Sequence, residues 1–106
     1  MFIYNKKLQY PVKIARCNPR LASVIISQYG GPDGELGASL RYLSQRFSMP
    51  FDEQKALLTD IGVEELGHLE MVGAIVHQLT RNLKEKDIEG TPLEQYFVDH
   101  TVGVFP

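Results

Sequence analysis

One cysteine, no tryptophan and no long apolar run: what this 106-residue chain lacks already bounds what it can be. A lone Cys17 excludes an internal disulfide and fits a reducing compartment, with the cytosol as the default. No stretch approaches the roughly 18 consecutive apolar residues of a membrane span. The start, "MFIYNKKLQYPVK", has no apolar core behind its lysines of the kind a secretory leader carries. Basic excess is missing too. Eleven Lys and Arg stand against 13 Asp and Glu, for a net charge of −2, so nothing in the charge balance points to nucleic acid. There is no internal repeat and no low-complexity run. What remains is 43% hydrophobic and 23% charged, the composition of one small globular domain or a piece of a larger one.

Along the chain the spacing of apolar residues marks four segments. Residues 1–17 mix Tyr, Ile, Val and Lys around Pro11 and read as an extended strap. "CNPRLASVIISQY" then opens a helix, with Asn18 as N-cap and Pro19 at the first helical position, where its missing N–H costs nothing. Leu21, Val24, Ile25 and Gln28 share one face of it. "GGPDGE" (30–35) is rich in helix breakers. Yet the row 21, 24, 28, 31, 35, 39, 42, 46 keeps helical phase through it. The spacing therefore predicts one helix over 19–48, kinked near 30–34, with two helices meeting at Gly30–Gly31 as the alternative. Beyond the kink, Leu36, Leu40, Leu43 and Phe47 form the apolar stripe, flanked by Glu35, Ser39 and Tyr42. "SMPFDEQ" is a turn with Pro50 as breaker and Asp52 as N-cap. A second helix over 53–84 buries Leu58, Ile61, Glu65, His68, Val72, Ile75 and Leu79. Residues 85–106 have no clear period and read as a loop or tail. The fold class is all-α: a hairpin of two helices whose apolar faces need further helices, from a second copy or from chain beyond Pro106.

"VEELGHLEM" (63–71) carries the chemistry. Glu65 and His68 stand in the middle of that apolar stripe, where an uncompensated carboxylate costs several kcal/mol. Their i, i+3 spacing puts them on one face, about 5–6 Å apart at Cβ, where both can ligate one cation. Glu35, on the inward edge of the first helix, is the third candidate ligand. Glu-x-x-His alone is a common surface pair; its place in the stripe, matched by a carboxylate on the preceding helix, is what points to metal. Two carboxylates and one imidazole are half the ligand set of a dinuclear bundle site. Doubled, they give four carboxylates and two neutral imidazoles, balancing two divalent cations. Oxygen ligands with some imidazole suit manganese or iron over a thiolate-seeking metal.

"LQYPV", "NPRLA", "QYGGPDGELGASLRYLSQ" and "LLTDIGVEELGHLEMVGAIVHQL" resemble the N-terminal half of the non-haem manganese catalases, in the ferritin-like superfamily, most of all their CotJC-type spore-coat branch. The resemblance runs over about residues 1–84, and more loosely through 100. It implies Glu35 as a terminal ligand, Glu65 as a bridging and catalytic carboxylate, and His68 as a terminal ligand of a two-manganese centre. Tyr42 would orient a ligand carboxylate. The implied activity is disproportionation of hydrogen peroxide to water and oxygen, and the implied settings are the cytoplasm or a spore coat with other coat proteins. The family's further Glu and second Glu-x-x-His are not in this sequence, so a second copy in a homodimer, or further chain, would have to supply them.

Other polar residues have plainer readings. Glu64 is a solvated helix carboxylate or a second-layer partner of a neighbouring chain's His68. Asp60, Glu70, His77, Arg41 and Arg46 read as surface groups, with a subunit contact open for Glu70 and an inward ion pair for Arg46. His100 lies in the tail. Gly62 and Gly73, three turns apart, allow close approach by another segment; Gly67 lies between them. Three functions compete: a dimanganese peroxide-disproportionating enzyme, a catalytically inactive structural coat component, and ferritin-like iron oxidation with the same ligands.

Overall fold

The structure, a computed structural model, describes residues 7–94. Among these residues four α-helices follow one another: α1 (Pro19–Ile25), α2 (Ser27–Gly30), α3 (Glu35–Gln45) and α4 (Asp52–Thr80). Short 3-10 turns occupy Arg46–Ser48 and Glu85–Asp87, and no strand occurs among the described residues.

α1 starts as its sequence demands. Asn18 Oδ1 accepts the Leu21 amide at 3.0 Å, and Pro19 takes the first position. Its buried face differs from the expected one. Ala22 and Ile26 are buried, whereas Leu21 and Val24 are 44% and 64% exposed. The continuous row that set the expected phase has no physical continuity, because the helix is interrupted, not merely kinked. After α2 the chain leaves helical geometry over residues 31–34 and folds back on α2. A Cβ on Gly31 would collide with the Ser27 carbonyl oxygen, and one on Gly34 would lie 2.7 Å from the same oxygen. Only glycine fits so tight a return.

α4 is the long element, 29 residues without a proline. Asp52 and Glu53 fill its first turn, where negative charge complements the helix dipole. Asp52 is the first helical residue and not the cap; Phe51 holds the cap position without a side-chain hydrogen bond. The helix ends at Thr80, short of the expected 84. Arg81 is extended, and Asn82 takes a left-handed φ of 71°, which asparagine tolerates better than most residues.

α3 and α4 form the hairpin. Gly62 makes the close approach possible: a Cβ there would lie 2.6 Å from Leu43 Cγ. Gly73 likewise receives the Tyr29 ring. Of the expected α3 stripe Leu43 packs against α4 at Gly62. Leu36, Leu40 and Phe47 are exposed, the last at 77%. So the hairpin leaves apolar surface uncovered, as two helices alone must.

The buried core lies at the other end, where Ala22, Ile26, Val76, Leu79, Ile88 and Leu93 cluster. Ile88 and Leu93 belong to the segment expected as a loose tail; through residue 94 it packs into the core. The expectations for residues 95–106, His100 included, fall outside the described residues. The strap, described from residue 7, lies along the end of α4. The Gln78 side chain holds it on both sides, accepting the Ile14 amide and donating to the Val12 carbonyl, each at 2.7 Å.

Candidate metal centre

The interruption at 31–34 has a consequence for chemistry: it sets Glu35 as the first residue of α3, at the mouth of the hairpin. Opposite it, the middle of α4 presents Glu65 and His68 one turn apart. His68 Nδ1 is 3.2 Å from Glu65 Oε2 and 3.8 Å from Glu35 Oε2. Ligand-capable atoms of all three residues lie within 4.8 Å of one another. All three are half-buried, and no other such group of three occurs among the described residues.

The electrostatics are those of two acids crowded together. A hydrogen bond to Glu65 raises the Glu35 pKa above its ordinary value, and burial and the Glu65 charge add to the rise. Glu65 goes the other way. Its carboxyl is held below the ordinary range chiefly by the hydrogen bond from Glu35, with His68 adding to the effect against burial. Two carboxyl groups beside an imidazole make a compact cluster of acceptor atoms.

The remaining sequence candidates sit at various distances from this chemistry. Tyr42 is half-buried, and no hydrogen bond joins its hydroxyl to the three residues. Glu64 is exposed, as are Asp60 and His77; Glu70 is half-buried. Arg46 forms no inward ion pair among the described residues. Its guanidinium donates to Thr59 Oγ1 at 3.3 Å and lies 4.8 Å over the Phe47 ring. Arg41 is the residue that sequence reasoning undervalued. Its Nη1 donates to the Pro32 carbonyl at 3.0 Å, within the interruption that delivers Glu35. No spacing rule reveals this contact, because the acceptor is a backbone atom in an irregular segment.

The family described as manganese containing catalase matches residues 1–102. Protein CotJC of Bacillus subtilis is 50% identical over 105 residues, covering 99% of this chain and 55% of that protein. A manganese catalase of the same species is 35% identical over 96 residues, 90% of this chain and 32% of the relative. The crystal structure of KatB, a manganese catalase from Anabaena, superposes with a TM-score of 0.79 at 33% identity, covering all of this chain and 51% of KatB. The chain thus spans about half the length of CotJC and of KatB, and its ferritin-like helical hairpin corresponds to their first half. By sequence and by fold, this chain belongs to the manganese catalase family.

Proposed function

We propose that Glu35, Glu65 and His68 bind manganese, and that the chain acts on hydrogen peroxide, disproportionating two molecules to two of water and one of dioxygen. The observation that carries this reading is the convergence of two carboxylates and an imidazole, from two separate helices, within 4.8 Å. The donor set fits the metal: oxygen atoms with one ring nitrogen, and no thiolate. Two carboxylates this close repel each other unless a proton or a cation stands between them. The convergence therefore favours a divalent ion.

When bound, manganese supplies the redox change that the reaction needs. The chain's own residues do the rest. Glu35, Glu65 and His68 would hold the ion with their clustered donor atoms, and Glu65 would accept and return a proton. Three donors make half of a two-manganese site. A symmetric second copy would repeat Glu35, Glu65 and His68 and complete it in a homo-oligomer, two-fold pairing being the commonest symmetry. The second half of a longer chain would do the same. In such an assembly Glu64, exposed on α4, would hydrogen-bond a neighbouring chain's His68, and Tyr42, half-buried, would orient a ligand carboxylate.

A second reading has its own support. The relationship to CotJC, at 50% identity, exceeds the 35% shared with the Bacillus catalase. That likeness supports, as the alternative, a catalytically inactive structural role in a spore coat among other coat proteins; the cytoplasm would be the setting for the enzyme. Iron in place of manganese would use the same three donors. Oxygen release from peroxide by manganese-loaded protein, lost in Glu65→Ala, is the expected result. A folded, manganese-loaded protein that leaves peroxide unchanged would favour the coat role.

A further inference from the structure

Glu35 stands at the weakest point a ligand can occupy. It is the first residue of its helix, and first turns fray because their amides lack intrahelical partners. The preceding Gly34 has no side chain with which to cap them. What holds the segment before it reaches back from within α3 itself. The Pro32 carbonyl, three residues before Glu35, accepts Arg41 Nη1 at 3.0 Å, its one hydrogen bond among the described residues. Gly37 gives that oxygen room: a Cβ at Gly37 would lie 2.5 Å from Pro32 O and 3.4 Å from Arg41 Nη1. Two residues of α3, one by donating and one by being small, thus grip the irregular segment from which their own helix starts.

We propose that Arg41 and Gly37 are positioning residues for the metal centre, fixing the 31–34 segment so that the Glu35 carboxylate stays aimed at Glu65 and His68. The inference rests on the reading of these three residues as manganese ligands. It is separable from that reading because no side-chain hydrogen bond or ion pair joins Arg41 or Gly37 to them among the described residues.

Electrostatics and positioning predict opposite signs, which makes the test sharp. Arg41→Gln removes a positive charge from the neighbourhood of a cation site, so Coulomb's law alone predicts tighter manganese binding. Loss of the grip on Pro32 predicts weaker binding. Gly37→Ala changes no charge and improves helix propensity, yet its methyl group would displace the Pro32 carbonyl. Manganese affinity is measured by competition with a chelator, with the electron paramagnetic resonance of bound manganese as the spectroscopic signature and circular dichroism to follow the helices.

The expected result is a fall in affinity of about three- to tenfold in both variants, the range set by one hydrogen bond. The manganese spectrum should broaden or shift while helicity is retained. Arg41→Lys, which keeps a donor, should recover part of the affinity. Arg20→Gln, equal in charge change but remote in sequence from the 31–34 segment, should weaken nothing. Unchanged or tighter binding in Arg41→Gln and Gly37→Ala, with the parent protein binding manganese, would overturn the positioning role and leave the proposed function standing. A parent protein that binds no manganese would overturn the proposed function itself, and this inference with it.

Discussion

Alanine at two glycines of α4 should move stability in opposite directions. Gly62 and Gly67 are both interior to the helix, and replacing either by alanine gains about 1 kcal/mol of intrinsic helix stability. Their surroundings differ. At Gly62 the new Cβ would lie 2.6 Å from Leu43 Cγ and 2.7 Å from Leu43 Cδ2. Carbon atoms rest at about 3.5–4.0 Å, so α3 must retreat by about 1 Å or Leu43 must leave its rotamer. Such overpacking costs about 1–3 kcal/mol. The net for Gly62→Ala is a loss of about 1 kcal/mol. At Gly67 the nearest atom is Gln9 Oε1 at 3.5 Å, ordinary contact, and the propensity gain survives. The two variants should therefore differ by about 2 kcal/mol, which for a domain of this size separates their melting temperatures by about 8–16 °C. Thermal unfolding followed by helical circular dichroism, with the parent chain between the two, is the assay. Equal melting temperatures, or Gly62→Ala above Gly67→Ala, would refute the claim that α3 and α4 meet through Gly62.

Three more outcomes follow from named contacts. Gln78→Ala removes both clamps on the strap, worth about 1–3 kcal/mol together; hydrogen exchange at the Ile14 amide should quicken while the middle of α4 is unaffected, and unchanged exchange would contradict the clamp. Leu93→Ala empties a fully buried position and should destabilise by about 2–5 kcal/mol, as should Leu79→Ala; a neutral result would mean that residues 88–93 do not join the core. In metal-free protein the acid pair makes stability depend on pH, with opposite signs for its members. Glu35, whose folded pKa is raised, contributes stability fully present below its ordinary value of 4.5 and lost as pH rises through the folded value. Glu65, whose folded pKa is lowered, contributes stability present above its ordinary value and lost as pH falls through the folded one. Glu35→Gln should therefore gain on the parent chain as pH rises from 4.5 towards neutrality, and denaturant midpoints that stay parallel would contradict it.

Much of this site could be read before any coordinates. A glutamate and a histidine inside an apolar stripe are costly unless something compensates them, and i, i+3 spacing fixes their common face whatever the rest of the molecule does. The row through positions 31, 35, 39 and 42 was informative too, since Gly31 and Ser39 are buried and Glu35 faces the pair on α4. Extending that row back to Leu21 went too far. Helical phase is carried by hydrogen bonds from turn to turn, and the segment 31–34 breaks them, so α1 turned Ala22 and Ile26 inward instead. The burial of Ile88 and Leu93 escaped the sequence for another reason: two apolar residues in a turn-rich segment have no period to announce them. Gln78 and Arg41 were equally silent, because each acts on backbone atoms whose position only the fold determines.

If Glu35, Glu65 and His68 are together in order to hold manganese, the metal content of the purified chain will show it. Elemental analysis of the parent protein, alongside Glu65→Ala and His68→Ala, should find bound manganese in the parent and its loss in both variants with helicity retained. A parent protein without manganese, or variants that retain it in full, would rule out that role for the three residues.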